Sequence, residues 1–181
     1  LRDIPFGDDG DFQQQRFTDL VNNDLANTIG NLLNRTSAMA RRWFADAVPP
    51  AGEASSAEHP LALAAARSIN HVDDSLERLD FRAAAEAVLE LAIAANGYLN
   101  EQAPWSRMKQ EGASPQVAAD LYAVLEAARI VALLLAPLLP DLSARMLTQL
   151  AQPLPRSNAG DAVGGSDWLV QLRWGGLTEG S

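Results

Sequence analysis

The chain has 181 residues, 48% of them hydrophobic, enough for one well-buried core, and it carries a formal net charge of −9 with no cysteine. The missing cysteines exclude disulfides, thiolate metal sites and thiol nucleophiles and fit a reducing, cytoplasmic setting. The acidic balance excludes a broad basic field for nucleic acid, so any such contact has to be local.

Ala and Leu dominate over β-branched and aromatic residues, which favours helix over sheet. The longest apolar run, Ile130 to Leu139, is interrupted by Pro137 and is too short for a bilayer, which needs roughly 20 apolar residues. No membrane partner is expected. The sequence opens on Leu1 without an initiator Met or a signal-peptide pattern and reads as a piece of something longer.

In chain order, residues 1–10 read as a linker, and Asp11 is a suitable N-cap for a helix starting near Phe12. From Phe17 the apolar positions Leu20, Val21, Leu25, Ile29, Leu32, Leu33, Met39 and Trp43 recur at steps of three and four, which predicts an amphipathic helix, bent near Asn22-Asn23 and ending before Pro49-Pro50. Ala47 to Ser56 reads as a loop. A second helix runs from Pro60 through Leu79, and a third, capped by Asp80, stops before Pro104. Pro104 to Ala113 is expected to be a loop; if Trp105 caps the bundle core, Arg107 and Lys109 are ordinary loop charges. Ser114-Pro115 opens a fourth helix that Pro137 and Pro140 break, and a fifth spans Asp141 to Ala151. Pro153 to Gly165 is loop-like, and Trp168 to Leu177 alternates too briefly to define a strand. The expectation is an all-α bundle of about five helices occupying residues 11–152, with residues 153–181 as loop and return tail.

The first helix carries the main functional signal. Leu25, Ile29, Leu32, Thr36, Met39 and Trp43 share one face, while Asn23, Asn27, Asn31, Asn34, Arg35, Arg41 and Arg42 lie opposite, with Asp24 as the lone acid. Glu and Lys are better helix formers than Asn, so this row costs helix stability. Amides and guanidiniums also present donors and acceptors at fixed geometry to base edges and phosphates. The plain alternative is a solvated face, or Asn side chains bonding neighbouring elements. A second signal is Trp105 directly after Pro104 at a helix exit, either a stacking platform for an unpaired base or a cap on the core. Catalytic constellations are poor: His59 and His71 lack a metal-ligand spacing, no Gly-rich phosphate loop precedes a helix, and Asp73, Asp74, Glu86 and Glu90 read as exposed faces.

Three segments in order, Phe6-Gly7-Asp8-Asp9-Gly10-Asp11-Phe12, Asn23-Asp24-Leu25-Ala26-Asn27-Thr28-Ile29-Gly30-Asn31-Leu32-Leu33-Asn34-Arg35 and Asn96-Gly97-Tyr98-Leu99-Asn100-Glu101-Gln102-Ala103-Pro104-Trp105, resemble the methionyl-tRNA synthetases. The middle block is shared with other class I synthetases, and Ala-Pro-Trp narrows the likeness to methionine. The resemblance implies a C-terminal helical domain that reads the CAU anticodon loop of methionine tRNA. Asn27, Asn31 and Arg35 match the row that bonds anticodon bases, and Pro104 and Trp105 match the ring that stacks on the cytosine. It also implies a separate catalytic domain using ATP as this domain's partner. No cofactor or metal is expected in these residues, and no DNA partner. The family's His-Ile-Gly-His-like and Lys-Met-Ser-Lys-Ser-like motifs are absent from this sequence. Two other readings remain at this point: a helical protein-protein interaction module, and the equivalent domain of a neighbouring synthetase.

Overall fold

A computed structural model describes residues 27–154 and 171–180. These residues form an all-α bundle: α1 (Asn31–Trp43), α2 (Pro60–Glu77), α3 (Phe81–Gln102), α4 (Pro104–Arg107), α5 (Ser114–Leu135) and α6 (Pro140–Gln149), with a 3-10 turn at Gly52–Ser55. The expected start of the first helix and its bend lie outside the described residues. A π-type turn over residues 27–30 leads into α1. One expectation is corrected. The Pro104 to Ala113 segment is not all loop, because Pro104 starts the single turn α4. Arg107 is accordingly a helical residue, and its role is structural, as described below.

The centre of the bundle is α5, buried at every residue from Val117 to Leu135. A helix apolar all round has to be enclosed. It packs against α1, α2, α3, α4, α6 and the 3-10 turn, while α2 and α3 form the most extensive pair beside it. Ala at 84, 87, 92, 95, 123, 127, 128 and 132 is nearly inaccessible. Small residues at these positions let the helix axes approach closely, while Leu32, Leu91, Leu99, Leu121, Ile130 and Leu134 fill the space between them.

The helix ends follow local chemistry. Pro60 stands in the first turn of α2, where its missing N–H is harmless, and Asp80 caps α3 by accepting the Ala83 N–H at 3.0 Å. Between them, Leu79 adopts φ 58 while the Asp80 N–H reaches Ser75 O and the Leu79 N–H reaches Leu76 O, which closes the C-terminus of α2. Another αL position, Ala103 (φ 43, ψ 57), separates α3 from α4. That break decides where Trp105 stands.

Residues 171–180 form no strand; they fold back on the bundle in turns. Their anchor is a buried ion pair on α5. Arg129 donates to Glu126 through Nε (2.9 Å) and Nη2 (2.6 Å), and the guanidinium also donates to the carbonyls of Gln171 and Arg173. The backbone N–H groups of Gly175, Gly176 and Leu177 donate to the Glu126 carboxylate at 2.9, 2.9 and 3.0 Å. Tyr122 O–H donates to Leu177 O, and burial followed by the Glu126 charge pushes this phenol up to about 12.

Candidate nucleic-acid interface

α1 divides as its periodicity predicts. Ile29, Leu32, Leu33, Thr36 and Ala40 are buried against the bundle, and Asn27, Asn31, Asn34, Arg41 and Arg42 are exposed. Thr36 is satisfied inside its own helix, donating to Leu32 O at 2.8 Å. Asn31 and Arg35 stand one turn apart, with Asn27 a turn before Asn31, so the three form one row along the exposed side.

Arg35 meets the second signal directly. Its guanidinium carbon lies 5.3 Å from the centroid of the Trp105 ring, and its Nη2 donates to Asn100 Oδ1 at 2.9 Å. A cation over an aromatic face within about 6 Å is attracted by the ring quadrupole. Trp105 itself is 39% exposed and Pro104 is buried, so the proline anchors the turn and the ring faces outward. The structure thus places Arg35 and Trp105 together. Asn31 and Asn27 share the row with Arg35 and stand one and two turns before it.

Asn96, one turn before Asn100 on α3, donates to Thr28 O at 2.9 Å and to Ala92 O at 3.0 Å. This bond ties the turn leading into α1 to α3. Asn96 and Asn100 together therefore fix both ends of the exposed row.

Behind α4 lies a polar chain that sequence reasoning missed. Asp120, 1% exposed, accepts from Arg107 Nη1 (2.8 Å), Tyr98 O–H (3.0 Å) and Gln116 Nε2 (3.2 Å). His59 Nδ1 accepts the Leu61 N–H and so caps α2, which leaves the proton on Nε2 to donate to Tyr98 Oη at 3.2 Å. Burial lowers the His59 pKa, opposed by the Asp120 charge. Burial, then the Asp120 charge and its hydrogen bond, push Tyr98 well above the usual phenol range. The His59 ring also stacks on Trp174 of the returning segment, at 6.0 Å between centroids. Among the described residues no group of three or more His, Cys, Asp or Glu could hold a metal ion, and no helix is long and apolar enough to cross a membrane.

Comparison with known proteins gives the family. Residues 1–37 match a family described as tRNA synthetases class I (M). Residues 48–163 match the family described as the anticodon binding domain of methionyl tRNA ligase, and the chain belongs to that family. It is 41% identical over 151 residues to a methionine–tRNA ligase of Synechocystis sp., covering 83% of this chain and 28% of the relative. It is 37% identical over 181 residues to the chloroplastic/mitochondrial methionine–tRNA ligase of Arabidopsis thaliana, covering 99% and 28%. A solved Mycobacterium tuberculosis methionyl-tRNA synthetase in complex with methionyl-adenylate superimposes with a TM-score of 0.82 at 28% identity, over 99% of this chain and 33% of that one. The chain thus spans about a quarter to a third of the proteins it matches. The match favours the synthetase reading over a protein-protein interaction module.

Proposed function

We propose that this chain selects methionine tRNA by its CAU anticodon loop, as the recognition domain of a cytoplasmic methionine–tRNA ligase. The observation that carries the reading is the Arg35–Trp105 pair held by Asn100 beside the exposed Asn27–Asn31 row. An unpaired base can stack on the ring, while the amides and guanidinium offer donors and acceptors to its edges and neighbours. Contacts of this kind work at a net charge of −9 because they act within a few ångströms. Residues 11–152 would form the recognition bundle, with 153–181 as its return tail. In the full ligase a separate catalytic domain would activate methionine with ATP and charge the tRNA. The present sequence has neither synthetase signature motif nor a Gly-rich phosphate loop, so no step of that chemistry falls to its residues.

The test is binding of a CAU anticodon stem-loop, and of one with its cytosine replaced, to the intact protein and to Trp105→Ala and Asn31→Asp variants. The wild type should prefer CAU, and each variant should lose about 1–3 kcal/mol of that binding. Equal binding of both RNAs by all three proteins would overturn the proposal.

A further inference from the structure

We propose that Arg107, acting through the buried carboxylate of Asp120, is a positioning residue that fixes where the Trp105 ring stands. The inference deepens the proposed anticodon reading and rests on it.

The argument starts from α4. A helix of four residues cannot sustain itself, because its few backbone bonds do not offset the cost of fixing its dihedrals. It also follows Ala103 in the left-handed region, a conformation that L residues avoid and that persists only where the surroundings impose it. Something outside the turn has to hold it. Pro104 supplies buried apolar contact, and Arg107 supplies the polar anchor at the other end. Its Nη1 donates at once to Gln102 Oε1 (2.9 Å), the last residue of α3, and to Asp120 Oδ2 (2.8 Å), on the central helix α5. One guanidinium thus joins three elements across the strained break.

Asp120 is suited to be the fixed point. It sits on the most enclosed helix of the bundle, and its other oxygen is held by Tyr98 and Gln116, so it has little freedom to follow a displaced partner. Trp105 lies between the two anchors of its turn, Pro104 and Arg107. Its separation from Arg35 therefore depends on the orientation of the turn rather than on the ring's own packing, which leaves it 39% exposed. The Arg107 side chain is likewise 39% exposed, so it can be replaced without emptying the core.

The test measures the same two stem-loops on the full-length protein carrying Arg107→Met, Arg107→Lys, Trp105→Ala, or Arg107→Met with Trp105→Ala. Arg107→Met should weaken the CAU stem-loop on the order of fivefold, less than loss of the ring itself, and should narrow the preference over the replaced-cytosine loop. In the Trp105→Ala background the same change should cost nothing further, because the ring it positions is gone. Arg107→Lys, keeping the charge but not the planar guanidinium that sets the two bonds, should recover part of the loss. An unchanged affinity for Arg107→Met overturns the inference, as does an equal loss with and without Trp105, which would mean a direct phosphate contact or a general weakening of the fold. A wild type that binds both stem-loops equally overturns the anticodon reading instead, and this inference with it.

Discussion

The two buried carboxylates of α5 look alike in sequence and are used differently. Glu126 is fully enclosed, and its arginine is three residues away on the same helix, 5% exposed. Its remaining acceptor capacity is filled by three consecutive backbone N–H groups of the returning segment. Asp120 faces an arginine from another helix whose side chain is 39% exposed, with side-chain donors around it. The first site is closed and couples backbone to core; the second opens at the surface beside an exposed aromatic ring. A buried ion pair is weak evidence of net stability, but breaking one is costly, and the cost grows with enclosure. Enclosure therefore separates a carboxylate that holds the fold from one that holds a surface.

Glu126→Gln should show the largest effect. It leaves the Arg129 cation buried without its counter-charge, and urea unfolding should report a loss of about 3–5 kcal/mol. A loss below that of Arg107→Met would reverse the ranking of the two sites. Gly176→Ala attacks the same closed site through shape. A Cβ there would stand 2.5 Å from Arg129 Nη2, and that guanidinium cannot swing aside because all three of its nitrogens are hydrogen-bonded. The expected loss is about 1–3 kcal/mol, read by the same unfolding curve.

The smallest effect belongs to the open site and depends on pH. His59 has a lowered folded pKa, so the unfolded chain binds its proton more readily. The stability it contributes is complete above its ordinary value of about 6.5 and declines as pH falls from there through the folded pKa. His59→Asn keeps an N-cap acceptor for Leu61 without a titrating ring, so its stability should fall less between pH 7.5 and 5.5 than that of the wild type. Parallel pH profiles for the two proteins would remove His59 from the account.

Much of this was legible in the sequence because it follows from local rules. The apolar spacing of α1 separated the buried Ile29, Leu32 and Thr36 from the exposed Asn31 and Arg41, and Asp80 announced its cap. The motif around Pro104-Trp105 marked the ring. The partner of that ring was not legible, because Arg35 and Trp105 are joined by tertiary packing, as are Arg35 and Asn100 across 65 residues. The partner of Arg107 was not legible for the same reason: a charge after Pro-Trp resembles a loop residue unless the buried carboxylate on α5 is known. Glu126 and Arg129 left a usable signal that was passed over, as two opposite charges three apart inside the apolar stretch Leu121 to Leu135.

The returning segment also imposes an order on biogenesis. The Trp174 indole donates to Ala54 O, and the Glu179 carboxylate accepts the Ala51 N–H, contacts that span 120 and 128 positions of chain. A ribosome releases the chain from its N-terminus, so Ala51, Ala54 and Glu126 emerge long before the groups that complete them. Until residues 171–180 arrive, the nascent bundle holds a core glutamate that lacks its three backbone donors. Emergence of residues 171–180 is thus also the step that satisfies this part of the interior, and a nascent chain stalled before Arg173 would remain open to proteases that the folded bundle resists.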